Sequence, residues 1–134
     1  MNAAQQAQLA HYQDKLSYET DSWDLFELLQ SGEAVVVVDG RSREAFATEH
    51  IPGAVSLPHR EICAETVSVL PADGICVCYC DGIGCNASTK TALKLLTLGF
   101  KVRELLGGLD WWKRDGYATA GETARPGRAL RCGC

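Results

Sequence analysis

The sequence contains no run of lysine and arginine residues, the feature that lets a protein follow the phosphate backbone of a nucleic acid. It also lacks an apolar stretch of about 20 residues, the length at which an α-helix spans a bilayer. The N-terminal segment is polar and rich in glutamine, without the basic and apolar regions of a signal peptide. Together with a net charge of −4, these absences argue against nucleic-acid and membrane partners, and we expect a cytoplasmic protein.

Histidine is scarce, with three residues in the chain. Neither a Ser-His-Asp arrangement nor a cluster of histidine metal ligands is visible, so we expect no cofactor and no metal at the functional site. His50 stands in the turn sequence His50-Ile51-Pro52-Gly53. We interpret it as a hydrogen-bonded turn residue rather than a general base.

Cysteine, by contrast, is abundant, with seven residues. A secreted disulfide scaffold would be smaller and poor in long apolar strands. Here the cysteines accompany a hydrophobic fraction of 46%, and we expect reduced thiols. Cys76 and Cys78 alternate along one apolar run and are predicted core residues, because buried free cysteine behaves as a small hydrophobe. Cys63 is predicted to be structural or a bystander.

Apolar strand patterns alternate with helical patterns along the 134 residues, which suffice for one domain. The β-branched run at 34–38 is typical of a central parallel strand covered on both faces. The alternation predicts an α/β fold with a mostly parallel central sheet flanked by helices on both faces. Strands are predicted at 34–38, 54–57, 75–79 and 102–106, and helices at 3–18, between Asp21 and Gly32, and at 43–48, 59–64, 89–98 and 110–114. The first helix is expected to pack on the domain.

The most informative segment begins at Cys80, directly after the predicted strand 75–79 and shortly before the helix at 89–98. A cysteine between a strand end, a short glycine-bearing loop and a helix start lies where backbone N–H groups converge. That environment favours a thiolate over a thiol and makes the cysteine a nucleophile. Ligands of parallel sheets bind beyond the carboxyl ends of the strands, where Asp39 also lies. Cys80 is therefore the predicted centre of the function.

Three segments, in order, resemble the single-domain rhodanese family. They are Asp39-Gly40-Arg41 through Phe46 to His50-Ile51-Pro52-Gly53-Ala54, then Cys80-Asp81-Gly82-Ile83-Gly84-Cys85-Asn86-Ala87-Ser88, and finally Gly107-Gly108-Leu109-Asp110-Trp111 with Gly116-Tyr117. The resemblance covers about residues 21 to 118. It divides the chain into an N-terminal helical extension (1–20), a rhodanese-like domain (21–118) and a flexible, cysteine-containing C-terminal tail (119–134).

The resemblance implies a sulfurtransferase, in which Cys80 takes a sulfane sulfur from a donor, holds it as a persulfide and passes it to a thiophilic acceptor. It implies a substrate-binding loop formed by Asp81, Gly82, Ile83, Gly84, Cys85 and Asn86. It also implies that Asp39 and Arg41 form an ion pair that shapes the site. The expected partners are a small-molecule or protein persulfide donor and a thiol acceptor.

The chain departs from the family pattern at Cys85, where arginine is common, and at Asp81, where a basic residue is common. Ala45 replaces a usual glutamate and Glu49 a usual glycine. Asp81 opposes ionisation of a neighbouring thiol and repels a dianionic donor such as thiosulfate. We therefore predict weak thiosulfate turnover and preference for a thiol persulfide. Phosphatases of related fold have a longer loop that ends in arginine, and no arginine occurs between Cys80 and Lys101.

The extra thiols leave alternatives open. Cys85 is a candidate thiol that resolves a Cys80 persulfide to a disulfide, or a small residue that fills the loop edge. Cys132 and Cys134 could bind a soft metal, form a local disulfide, relay sulfur from Cys80, or have no role. The alternative to an enzyme is a non-catalytic redox-sensing or metal-binding module that uses Cys85 and the Cys132/Cys134 pair.

Overall fold

The computed structural model describes residues 1–130. The helices are α1 (Ala3–Tyr18), α2 (Ser22–Gln30), α3 (Arg43–Thr48), α4 (Ala87–Thr97) and α5 (Gly108–Arg114), and two short 3-10 helices cover His59–Glu61 and Thr66–Val69. The strands are β1 (Glu19–Thr20), β2 (Val35–Asp39), β3 (Val55–Ser56), β4 (Ile75–Tyr79) and β5 (Lys101–Leu105). No helix within residues 1–130 combines the length and the apolar content that a membrane span requires.

The five strands form one sheet in the order β1-β5-β4-β2-β3, and every pairing is parallel. β4 lies between β2 and β5, so the strand that leads into Cys80 is central. In the register of β2 and β4, Asp39 is the partner of Tyr79. The chain positions that follow both strands therefore meet at one edge of the sheet, as expected for the carboxyl ends of parallel strands.

Alternate residues of the central strands face two separate hydrophobic clusters, because successive side chains of a strand point to opposite faces. One face carries Val37, Val77 and Tyr79 against residues of α2 and α5, including Phe26 and Trp112. The other carries Val38, Cys76 and Cys78 against Ala92 and Leu95 of α4. The α/β prediction with helices on both faces is confirmed, and so is the prediction that Cys76 and Cys78 are core residues.

The predicted bounds of α3 and β4 agree with the structure, whereas α4 begins two residues earlier than predicted and β5 lies one residue earlier. The expectation that α1 packs on the domain is wrong, since none of its residues is buried. Its apolar residues Leu9, Tyr12 and Leu16 lie at helical spacing on one side of the helix, yet all three are exposed. The helix is capped by Asn2 and Gln5, which exchange side-chain and backbone hydrogen bonds.

The segment that follows α5 also differs from the expected loosely held tail. Its backbone bonds to α3 and to the turn after it: Ala120 exchanges two hydrogen bonds with His50, and Thr123 N–H donates to the Thr48 carbonyl over 2.9 Å. The Arg128 guanidinium lies 4.6 Å from the ring centre of Phe26. As far as Leu130, this segment is a docked part of the domain. The Cys132/Cys134 pair lies outside the described residues.

Candidate functional site

Cys80 directly follows the last residue of β4, and its loop is held by the start of α5. The N–H of Leu109 donates to the Cys80 carbonyl over 3.0 Å, and the N–H of Asp110 donates to the Asp81 carbonyl over 2.8 Å. A third hydrogen bond, from the Cys85 N–H to the Gly82 carbonyl over 3.3 Å, closes the loop on itself. α4 then begins at Ala87. The first N–H groups of a helix have no intrahelical partners, so they face the loop's end as available donors.

Gly108 explains why α5 can approach the loop so closely. Its φ angle is +56°, in the region that glycine adopts without strain, and a Cβ atom at this position would collide with the Cys80 carbonyl. The hydrogen bond from the next residue, Leu109, depends on this approach. The glycine pair of the third family segment therefore positions the cysteine loop from outside.

The structure joins Cys80 to Cys85 in a disulfide, with the two Cα atoms 6.2 Å apart. The expectation of reduced thiols is therefore wrong for this pair, because the short loop turns both side chains toward each other. Among the described residues, Cys63, Cys76 and Cys78 remain free. Cys80 is 2% exposed, whereas Cys85 is half-buried. Cys85 is thus the more accessible sulfur of the two.

Beneath the loop, Arg41 and Asp39 form the predicted ion pair. The Nη2 and Nε atoms of Arg41 donate to the Asp39 carboxylate over 2.7 and 3.0 Å, and Nη2 also donates to the Glu49 carbonyl over 2.6 Å. Burial by itself lowers the pKa of Arg41, but hydrogen bonds to Asp39 and Asp81 outweigh it and raise the pKa. The guanidinium therefore stays charged and fixed. The expected ion pair is therefore present, and its site-shaping role stays a prediction.

Asp81 is the second carboxylate on Arg41. Its Oδ1 accepts from Nη1 over 2.8 Å, although the Asp81 side chain is 72% exposed and that of Arg41 only 7%. The negative charge beside Cys80 is thus partly balanced from below. The sequence does not reveal this ion pair, in which Arg41 offsets part of the Asp81 charge.

Tyr79 completes this network and was not recognised from the sequence as a site residue. Its hydroxyl donates to Asp39 Oδ2 over 2.7 Å and accepts from the Ile51 N–H over 3.1 Å. Burial and then the Asp39 charge raise its pKa, so the phenol stays protonated. Its position in the sequence could have indicated a site residue, because Tyr79 ends β4 in the same way that Asp39 ends the neighbouring strand β2.

A further cluster ties the docked C-terminal segment to the site. The Glu49 carboxylate accepts from Lys113 Nζ over 2.9 Å and from Thr119 Oγ1 over 2.6 Å, and Arg125 Nε lies 3.7 Å away. Burial acts to raise the pKa of Glu49, but these partners outweigh it, and the pKa is lowered. Glu49 stands where the family pattern has glycine, and that departure was the signal for a new side-chain contact.

Two cavities meet at the disulfide. The larger, about 780 Å³, is lined by Cys85, Asp81, Trp111 and Lys113 among others. The smaller, about 470 Å³, is lined by both Cys80 and Cys85 together with Arg43, His59 and Arg60. Cys85 therefore contributes to both cavities and Cys80 to the smaller one. The loop residues Gly82, Ile83 and Gly84 line the larger cavity.

The remaining predicted residues fall largely where expected. His50 Nδ1 lies 2.7 Å from the Phe46 carbonyl, which confirms a hydrogen-bonded turn residue. Trp112 is buried, whereas Trp111 is partly exposed at the larger cavity. Lys90 and Cys63 are exposed. Asn86 precedes α4 without capping it through its side chain.

Known proteins share this arrangement. A family model described as a rhodanese-like domain matches residues 22–115. The chain is 38% identical to the BH2092 protein of Bacillus halodurans, with a TM-score of 0.83 over 89% of this chain and 88% of the other. It is 26% identical to a thiosulfate sulfurtransferase of Pseudomonas aeruginosa, with a TM-score of 0.69 over 78% of this chain but 20% of that one.

A curated relative, the HTH-type transcriptional regulator Rv0324 of Mycobacterium tuberculosis, is 32% identical over 105 residues. This alignment takes in 77% of the chain, yet it spans less than half (46%) of the regulator's length. Because the family model matches the whole span from α2 to α5, the chain belongs to the rhodanese-like domain family.

Proposed function

We propose that the protein is a sulfurtransferase that carries sulfane sulfur on Cys80. The Cys80 thiolate attacks the outer sulfur of the donor, forms a sulfur–sulfur bond and releases the rest of the donor with the electron pair of the broken bond. A nucleophilic acceptor then attacks the outer sulfur of the persulfide and restores the Cys80 thiolate. Each transfer is balanced without an oxidant or a reductant.

The position of Cys80 carries the proposal. It follows the central strand at the edge of the sheet, lines a cavity, and lies in a loop that ends at the N-terminus of α4. Backbone N–H groups and the positive end of a helix stabilise an anion at such a place, whether a thiolate or a terminal persulfide. In contrast, Cys76 and Cys78 lie in the core, and burial raises the pKa of Cys76 to about 11.

The charges around the site support a donor that carries little charge. Carboxylates outnumber cations in the larger cavity, where Glu49, Asp81 and Asp110 face Arg41 and Lys113. In the smaller cavity three cations and three carboxylates balance: Arg41, Arg43 and Arg60 with Glu44, Glu61 and Asp81. Burial and then the charges of Lys90, Lys94 and Arg60 lower the pKa of His59, so its ring adds no charge at neutral pH. A monoanionic thiol persulfide suits this environment better than dianionic thiosulfate.

The test is a loading and transfer assay on the reduced protein. In Cys85→Ser, which lacks the neighbouring thiol, exposure to a thiol persulfide is expected to add about 32 Da to the peptide that contains Cys80, and Cys80→Ser is expected to abolish both loading and transfer. Cys63→Ser, which removes an exposed free thiol, is the matched control and should behave as wild type. Absence of label on Cys80 in Cys85→Ser, without sulfide release by wild type, would overturn the proposal, and a higher kcat/KM for thiosulfate would overturn the donor preference.

A second candidate is a non-catalytic redox-sensing module. The observation that favours it is the Cys80–Cys85 disulfide, because a reversible disulfide can report the redox state of its surroundings. The similarity to a transcriptional regulator points the same way. Within residues 1–130 no group of three or more potential metal ligands occurs, and the Cys132/Cys134 pair of the metal-binding form lies outside those residues. A protein that cycles its disulfide in a thiol redox buffer but takes up no sulfur would favour the sensor.

A further inference from the structure

The Cys80–Cys85 pair suggests that the chain supplies its own sulfur acceptor. We propose that Cys85 resolves the Cys80 persulfide, releases the sulfane sulfur as sulfide and leaves the disulfide seen in the structure. This inference rests on the proposed function, since it needs a persulfide on Cys80. It makes the protein a thiol-dependent persulfide reductase rather than a simple sulfur carrier.

The geometry determines which sulfur Cys85 can attack. The side chains of Cys80 and Cys85 meet directly at their Sγ atoms, across a loop whose Cα atoms lie 6.2 Å apart. This separation is within the range that a disulfide accepts without moving the backbone. The atom next to the Cys85 thiolate is therefore the inner sulfur of the persulfide, Cys80 Sγ, and not the outer sulfur.

The step is balanced as follows. The Cys85 thiolate forms a bond to Cys80 Sγ, and the bond between Cys80 Sγ and the outer sulfur breaks. The electron pair leaves with the outer sulfur as hydrosulfide. The sulfane sulfur is thereby reduced, and the two cysteines are oxidised to a disulfide. The proton of the Cys85 thiol ends on the departing outer sulfur, through water in the cavities that Cys85 lines, so that the sulfur leaves as hydrosulfide.

The loop favours this direction of attack and this leaving group. Hydrosulfide departs as an anion into the smaller cavity, where Cys80 lies next to the N-terminus of α4. No other described cysteine competes as an intramolecular acceptor. Cys76 and Cys78 are enclosed on β4, and burial raises the pKa of both thiols. Cys63 is exposed and lies in neither of the cavities at the loop.

The exposure of the two sulfurs also predicts how the cycle is reset. Cys80 is 2% exposed, whereas Cys85 is half-buried and lines both cavities. A thiol reductant therefore attacks Cys85, and Cys80 leaves as the thiolate that the loop stabilises. A second thiol, from the same dithiol or from another molecule, then attacks the mixed disulfide on Cys85. This releases the Cys85 thiol and joins the two reductant thiols in a disulfide. The co-reactant is thus a dithiol or a pair of monothiols.

The decisive experiment is a single turnover without oxygen and without added thiol. Reduced wild-type protein is mixed with slightly less than one equivalent of a thiol persulfide, and sulfide and intact mass are measured. We expect about one equivalent of sulfide per persulfide consumed, and a product about 2 Da lighter than the reduced chain. Cys85→Ser should instead keep about 32 Da on Cys80 and release at least about tenfold less sulfide. Cys63→Ser should match wild type.

The outcomes separate this inference from the proposed function. If wild type retains the added sulfur on Cys80 and releases no sulfide, the resolving role is wrong while the sulfurtransferase stands. If neither wild type nor Cys85→Ser takes up sulfur, the sulfurtransferase itself fails. A peptide map of the wild-type product supplies a second readout, because the resolving role requires the new disulfide to join Cys80 and Cys85.

Discussion

Tyr79 and Asp39 are register partners on neighbouring parallel strands, and the Tyr79 hydroxyl donates a 2.7 Å hydrogen bond to the Asp39 carboxylate. The same carboxylate receives the Arg41 guanidinium, which in turn reaches Asp81 beside Cys80. A chain of polar contacts thus runs from the buried end of the sheet to the cysteine loop. The members of such a network depend on one another, because each one satisfies a buried partner.

Asp39→Asn tests this dependence. The substitution keeps the shape of the side chain but leaves the buried Arg41 without its principal counter-charge, so we expect the free energy of unfolding to fall by about 3 kcal/mol. Urea denaturation measures the change. Glu61→Gln is the matched control, since it removes a carboxylate from the exposed Arg43–Glu61 pair and should cost less than about 1 kcal/mol. Equal losses in the two variants would contradict a structural role for the Asp39–Arg41 pair.

Asp81→Asn tests the donor preference. Removal of this charge leaves Arg41 Nη1 without its carboxylate partner and makes the site more positive. We expect kcat/KM for thiosulfate to rise roughly threefold to tenfold, with a smaller change for a thiol persulfide. The gain should shrink as ionic strength increases, because the charge is exposed. Asp73→Asn, an exposed charge on the loop before β4, is the control, and an equal gain there would argue against a local effect of Asp81.

Glu49 is expected to contribute to the loss of folding stability at acid pH. Its pKa is lowered in the fold from 4.5, so the unfolded chain binds a proton at this site more readily than the folded chain does. The stabilisation is therefore complete above about pH 4.5 and is lost as the pH falls through the lower folded value. Glu49→Gln should cost about 1–3 kcal/mol at neutral pH. The cost of Glu49→Gln relative to wild type should decrease as the pH falls below 4.5. Urea titrations at several pH values measure it, and a constant difference would contradict the assignment.

Gly108→Ala tests how α5 positions the loop. Both Gly108 and Gly32 have positive φ angles, but a Cβ at Gly32 would meet open space and one at Gly108 would meet the Cys80 carbonyl. Alanine at either position is strained by the positive φ angle, and only Gly108→Ala adds a steric collision. We expect Gly108→Ala to lose at least about 2 kcal/mol more unfolding free energy than Gly32→Ala. It should also slow sulfur loading of Cys80. Similar losses of unfolding free energy in the two variants would show that neighbouring atoms move and relieve the collision at Gly108.

The patterns within single elements were predictable from the sequence. The β-branched and cysteine-rich strands, the α3 bounds and the position of Cys80 all follow from local periodicity and turn residues. The contacts between Arg41 and Asp81 and between Glu49 and Lys113 join positions that are 40 and 64 residues apart. Local patterns contain no information about such pairings, because they depend on how the elements pack.

Two errors have the same origin. The N-terminal helix is expected to pack because Leu9, Tyr12 and Leu16 recur at helical spacing, yet these three residues form only a narrow apolar stripe and remain exposed. The C-terminal segment was expected to be loose because it is polar and contains proline and glycine. It docks instead through backbone hydrogen bonds and through Arg128, which stacks on Phe26. For both the N-terminal helix and the C-terminal segment, apolar content alone failed to predict whether the segment packs on the domain.

Cys85 is half-buried and lines both cavities, whereas Cys80 lines the smaller one. Under the proposed cycle, sulfur arrives and sulfide departs through the smaller cavity, while a reducing thiol can reach Cys85 from either cavity. The donor reacts with the reduced pair and the reductant reacts with the disulfide, so the two need not occupy the site at the same time. Each acts in its own half of the cycle, and the turnover rate depends on the concentrations of both.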